Sequence, residues 1–312
     1  MENGTFSSHF HLSVFQDYGH LKYVFFVLTI TLYFVIILFN VIIVVVTIRN
    51  RTLHQPMYIF ISCLSMNSLF GTLGFYPRLF FDLLSVIHTI SHPACLIQIF
   101  VIYTYAMCEF TILTVMAYDR HIAICDPLKY NSIMTLKVTG TLVGIATIYP
   151  IICMCVVVSL TGRLPMCGNK IARVYCANWS VVRLSCIATT LNNIVGFFIT
   201  VTTVFIPLGF VLYSYMKILA VCYKSSKEFR KKALQTCLPH IVTFVNYSIT
   251  MFCEIIISRF ELGNELQILA ILLSLEFLII PPVLNPLIYG LNLPDIRKRI
   301  INLFQKKVIT LT

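Results

Sequence analysis

The strongest constraint on this chain is the spacing of its charges. No charged residue interrupts Tyr23–Ile48, the run between Lys22 and Arg49. Further runs with few or no charges cover residues 56–77, 94–118, 138–162, 194–216, 233–258 and 266–290. About 20 apolar residues wound as a helix span the ~30 Å hydrocarbon layer of a bilayer. In lipid every backbone N–H and C=O needs an internal partner, so runs of this length must be helices. Composition agrees, with 58% hydrophobic and 11% charged residues, where a soluble domain carries about 25% charged. The expected fold is therefore an all-α membrane protein, a seven-transmembrane helix bundle in one domain. Residues 1–22 form a tail, 23–290 the bundle and 291–312 a second tail. Residues 1–21 lack the basic, apolar and small regions of a signal peptide, so the first run is expected to act as an uncleaved anchor.

Charge bias orients the bundle. If the N-terminus lies outside, the outer segments hold only Lys22, Arg78, Arg163, Lys170, Arg173, Arg183 and Arg259 of the 23 Lys and Arg. The rest fall on the cytoplasmic side, as the positive-inside rule requires. The net charge of +11 is thus mainly a topology signal and does not imply nucleic-acid binding; a basic inner face also suits anionic membrane lipid. After the last run, Leu293-Pro294-Asp295 reads as a helix start. Ile296, Ile300, Ile301, Leu303 and Phe304 can form an apolar face and Arg297, Lys298 and Arg299 a basic one. The expectation is a short cytoplasmic amphipathic helix on the membrane surface.

Asn3-Gly4-Thr5 and Asn178-Trp179-Ser180 are glycosylation sequons in outer segments. A third match at Asn246 falls inside a span and is read as chance. Of the 12 cysteines, Cys95, Cys167, Cys176 and Cys186 face the oxidising side, where two bridges can form. Four cysteines allow three pairings, and sequence alone does not choose. The others read as small apolar packers. No Cys/His cluster has metal spacing, and no nucleophile–base set appears, so the chain is expected to be neither an enzyme nor a cofactor protein.

Four stretches carry a resemblance. Residues 116–130 read MAYDRHIAICDPLKY, placing Asp119 and Arg120 where a helix leaves the membrane. Residues 53–60 read LHQPMYIF, 232–240 KALQTCLPH, and 282–290 PVLNPLIYG. These resemble the signature stretches of odorant receptors, a branch of the rhodopsin-like G-protein-coupled receptors, with His121 where the family usually has Tyr. Asn40, Pro207, Ser214 and Tyr215 match the family as well; the fourth span matches weakly. The wording PMYIF with Asn67 and Phe75-Tyr76-Pro77 is similar to that of bony-fish odorant receptors.

The resemblance implies an odorant receptor of the plasma membrane that binds a small-molecule odorant and activates a stimulatory, olfactory-type heterotrimeric G protein. It implies the pairings Cys95–Cys176 and Cys167–Cys186. It makes Asp119, Arg120, His121, Asn285, Pro286 and Tyr289 the G-protein switch, with Arg120 held at rest by Asp119 and the cytoplasmic end of span six. It places the ligand against Ile102, Tyr103, Ala106, Met107, Ile199, Thr203, Ser248, Met251, Phe252, Ile255, Leu275 and Leu278. For each of these, plain helix packing is the competing reading.

Glu109 lies mid-membrane, where a bare carboxylate costs several kcal/mol. The family often places a companion acid in span two; here that position is Ser68, beside Asn67. A water-mediated polar network of Asn40, Ser68, Glu109 and Asn285 is expected, with a sodium ion as the alternative. Glu254 and Glu276 could meet an ammonium group of a ligand, or Glu254 could pair with Arg259. A transporter or channel using these intramembrane acids is the second reading; paired broken helices, its usual companion, are missing from the pattern. A retinal photoreceptor needs a lysine in the last span, and residues 266–290 contain none.

Overall fold

The structure is a computed structural model and describes residues 9–14, 19–259, 264–293 and 295–301. Seven long helices carry the fold: α1 Leu21–Arg49, α2 Pro56–Leu84, α3 His92–Cys125, α4 Leu136–Gly162, α5 Thr190–Lys224, α6 Lys227–Arg259 and α7 Asn264–Asn292. Six of them are long and apolar enough to cross a membrane, and the Leu275–Gly290 part of α7 with the segment after it makes up to a seventh. A final helix, α8 Asp295–Ile301, turns away from α7 by 91°.

The bundle is built inside out relative to a soluble protein. Phe34, Leu73, Ile145, Phe197, Leu212 and Ile256 point outward and are exposed, as lipid contact requires. Asn40, Ser68, Glu109, Asp119 and Asn285 are buried inside. The central helix is α3, which packs on α2, α4, α5 and α6.

α2 outruns its charge-free run because an end charge finds partners. α2 continues through Arg78, whose guanidinium donates to both carboxylate oxygens of Asp82 at 2.7 and 2.6 Å and to the Thr89 carbonyl at 2.8 Å. α5 carries one π-helical segment, Val201–Phe205, just before Pro207, an insertion that recurs at functional sites.

One end of the bundle bears a small sheet with strand order β2-β1-β3. β1 His9–Leu12 pairs antiparallel with β2 Thr89–Ser91 and parallel with β3 Lys170–Ile171. The sequence reading left this segment as part of a polar tail. Instead its alternate residues Phe10 and Leu12 are fully buried, the period-two pattern of a half-buried strand. Two disulfides fix the same end. Cys95–Cys176 joins the start of α3 to the segment after β3, and Cys167–Cys186 closes the α4–α5 connection on itself. Both are the pairings that the family resemblance implies.

Candidate functional site

Three helical prolines, two in α7 and one in α4, have the hydrogen bonds they break repaired inside the bundle, and these repairs position the site. A helical proline orphans the carbonyl four residues earlier. Pro286 orphans Pro282, and the Asn40 amide donates to that carbonyl at 2.8 Å. Pro281 orphans Phe277, which receives the Tyr105 hydroxyl at 3.0 Å. Pro150 orphans Ala146, which receives the Thr111 hydroxyl at 2.7 Å. Tyr105 reaches α7 only because residue 71 is glycine; a Cβ there would overlap the Tyr105 ring.

This leaves Asn285 available to a different partner, the Glu109 carboxylate, to which its amide donates. Asn67 donates to the other Glu109 oxygen at 2.9 Å and to the Tyr105 carbonyl at 3.0 Å, using both hydrogens of its amide nitrogen. The cluster is therefore direct, centred on Glu109, and recruits Asn67 in place of Ser68. The buried Ser68 hydroxyl has no hydrogen-bond partner among the described residues. Asn40 belongs to the neighbouring repair and does not touch Glu109. Among the described residues no three metal-ligating side chains come together.

At the end of the bundle opposite the sheet, Arg120 donates to Asp119 through Nε and Nη2 at 3.1 and 2.6 Å. The second Asp119 oxygen receives the Tyr130 hydroxyl at 2.7 Å. Burial, then the Asp119 charge, pushes the Tyr130 hydroxyl above its ordinary range, so it stays a donor. The expected hold from α6 on Arg120 is not made by a hydrogen bond or ion pair among the described residues. The facing part of α6 offers Ala233 and Cys237, which pack with Ile124, Ile218 and Cys222, and an apolar surface cannot hold a guanidinium. His121 lies 3.9 Å from the Cys125 sulfur and faces the Tyr213 ring.

α6 is instead tied to its neighbours one step deeper. His240 Nε2 lies 2.8 Å from the Leu113 carbonyl on α3. A carbonyl only accepts, so Nε2 carries the proton and Nδ1 accepts from the Tyr215 hydroxyl of α5. One turn on, Thr243 and Tyr289 of α7 share a hydrogen bond at 3.1 Å. Above this, the Tyr247 hydroxyl donates to the Ala106 carbonyl of α3 at 2.9 Å. His240 was visible in the stretch at 232–240, but only packing shows that it bridges three helices.

The expected ligand residues gather in the half of the bundle nearer the sheet. Ile102, Ala106, Met251 and Leu278 lie in the main core, with Ile255 and Leu275 packed on it. Met107 and Ile199 belong to the cluster beneath the sheet. Tyr103 packs on both clusters and joins them. The Thr203 and Ser248 hydroxyls donate to their own helices, at Ile199 and Phe244, and Phe252 meets the Phe205 ring edge-on. Glu276 is half-buried with no hydrogen bond or ion pair among the described residues. Glu254 pairs with Arg173 of the segment after β3 rather than with Arg259; Arg259 instead bonds Asn193 and stacks over Trp179 at 4.0 Å. Asn178 is half-buried, its side-chain oxygen accepting from Thr161 at 2.8 Å. Asn3 lies outside the described residues.

Seven helices around a polar interior, with an Asp–Arg pair at one end and an apolar gathering at the other, define a seven-helix membrane receptor. The olfactory receptor family model matches residues 29–307. Human Olfactory receptor 10R2 is 34% identical over 309 residues, covering 98% of this chain and 91% of that protein. Human Olfactory receptor 10J1 is 34% identical over 299 residues, covering 95% and 92%. Mouse Olfactory receptor 10J5 is 32% identical over 285 residues, covering 91% of each. The chain belongs to the olfactory receptor family.

Proposed function

We propose that this chain sits in the plasma membrane with the sheet end outside, binds a small organic odorant in the outer half of the bundle, and activates a stimulatory heterotrimeric G protein at the Arg120 end. The ligand contacts are Ile102, Tyr103, Ala106, Met107, Ile199, Thr203, Ser248, Met251, Phe252, Ile255, Leu275 and Leu278. The carrying observation is that His240 and Thr243 of α6 are tied to α3, α5 and α7, on the same helix that bears the proposed contacts Ser248 and Met251.

An odorant that alters packing around Met251 changes the cost of keeping His240 seated. It shifts the resting equilibrium only by its difference in affinity for the two arrangements. When α6 leaves, Arg120 is uncovered for the G protein, with Asp119, His121, Asn285, Pro286 and Tyr289 completing the switch. α8 lies against anionic lipid, with Ile296 inward and Arg297, Lys298 and Arg299 outward. Asn3 carries the sugar; Asn178, already engaged by Thr161, is the poorer acceptor of the two.

The test is cyclic AMP in cells co-expressing the chain with an olfactory-type stimulatory G protein, challenged with panels of amines, acids, amino acids and volatiles. A dose-dependent rise from one ligand class is expected. Silence to every class at confirmed surface expression would contradict the reading.

A further inference from the structure

One charged pair lies apart from the switch. Glu254 on α6 is 3% exposed and Arg173 is 7% exposed. Arg173 Nη1 stands 3.5 Å from Glu254 Oε2, and neither atom has a hydrogen-bond partner among the described residues. The other Glu254 oxygen accepts from the Tyr175 hydroxyl at 3.1 Å. Tyr175 is a fixed donor. Its ring packs edge-on against Phe75 and Phe277, and the next residue is bridged to Cys95. The acid is therefore held from one side, while its second oxygen faces an unsatisfied guanidinium nitrogen.

Such an arrangement is costly by itself. Removing two ions from water costs several kcal/mol each unless hydrogen bonds fill their remaining sites. Here one buried atom of each ion has no hydrogen bond among the described residues. Tyr247, Met251 and Glu254 follow the i, i+4, i+7 spacing of one helix face, so the carboxylate continues the α6 stripe that carries the ligand contact Met251.

We propose that Arg173 and Glu254 form a charge clamp for a small zwitterion, a molecule with an ammonium and a carboxylate a few bonds apart, as in an α-amino acid. The inference rests on the odorant-receptor reading and names the ligand class of that site. Arg173 Nη1 donates to the ligand carboxylate, and Glu254 Oε2 accepts from its ammonium. Charge balance selects this class. The pair is neutral as a unit, so a lone cation or a lone anion leaves one uncompensated charge in a water-excluded place. A zwitterion leaves the site neutral and supplies both missing partners.

The experiment is the melting temperature of the purified full-length receptor in detergent. The probes are L-alanine and L-methionine, set against propylamine, propionate and butanol. In the unmodified receptor the amino acids raise the melting temperature, with apparent affinity about tenfold or more above that of either one-charge analogue. Glu254→Gln and Arg173→Gln each lower the amino-acid affinity by about tenfold or more. The exchanged double variant, Arg173→Glu with Glu254→Arg, retains both charges and regains part of that affinity, which separates lost recognition from lost folding. Amino acids that leave the unmodified receptor's melting unmoved, or single variants with undiminished affinity, overturn the clamp. Because the readout is binding, stabilisation by butanol alone rejects the clamp and leaves the odorant-receptor reading standing.

Discussion

Asn40 and Asn67 each spend both amide hydrogens on buried acceptors. Asn40 serves the Ile36 and Pro282 carbonyls; Asn67 serves the Tyr105 carbonyl and the Glu109 carboxylate. A hydrogen bond to a charged group contributes about 1.5–3 kcal/mol, and stranding its partner costs the desolvation as well. Asn67→Ala is therefore expected to destabilise the receptor by about 2–3 kcal/mol, seen as a lower melting temperature in detergent. Ser68→Ala removes a hydroxyl with no hydrogen-bond partner among the described residues and should leave melting nearly unchanged; equal losses from the two variants would contradict the assignment. This pair also marks how far residue-level reading reaches. The cost of a mid-membrane carboxylate singles out Glu109 from sequence, and the family pattern points to Ser68. Neighbouring residues on a helix differ by about 100° in direction, so only the rotation of α2 against α3 places Asn67 on the acid. Arg173 was unreadable for the same kind of reason. No periodicity links Arg173 in a connecting segment to Glu254 on α6; a disulfide and a sheet fix that segment, and the pair meets there.

At the scale of elements, the seven runs were legible because lipid leaves few options for backbone hydrogen bonding. Their ends were less legible. α2 passes Arg78 because Asp82 lies one turn ahead of it, and α3 passes Asp119 and Arg120 because Tyr130 and the pair itself satisfy those charges. β1 gave no usable signal. Four residues are too few for periodicity, and the strand exists by pairing with segments far away in sequence. Those partners are held by Cys95–Cys176, which also aligns the Cys176 N–H with Gln98 at 2.9 Å. Cys95→Ser and Cys176→Ser should each destabilise the receptor by about 2–5 kcal/mol, measured as lost surface delivery and a lower melting temperature. Since both delete one bond, the double variant should be no worse than either single. Additive damage would show that the two cysteines act separately.

For the whole molecule, α6 and α3 are the helices that link the two ends. α3 runs from the disulfide at the sheet end to the Asp119–Arg120 pair at the other, and its Ala106 and Leu113 carbonyls hold Tyr247 and His240 of α6. An odorant's differential affinity must exceed about 5 kcal/mol to carry such a switch from nearly all resting to nearly all active. No acid on α6 reaches Arg120 among the described residues, so the proposed switch is held at rest by the His240 and Tyr289 contacts rather than by an ionic lock. In that proposal Arg120 is the group presented to the G protein once α6 moves. The most direct test is ligand-evoked cyclic AMP from Arg120→Ala beside the unmodified receptor, at matched surface delivery. The expected result is a dose-dependent rise that Arg120→Ala abolishes while ligand-induced stabilisation of the purified variant survives. Full signalling from Arg120→Ala would contradict it.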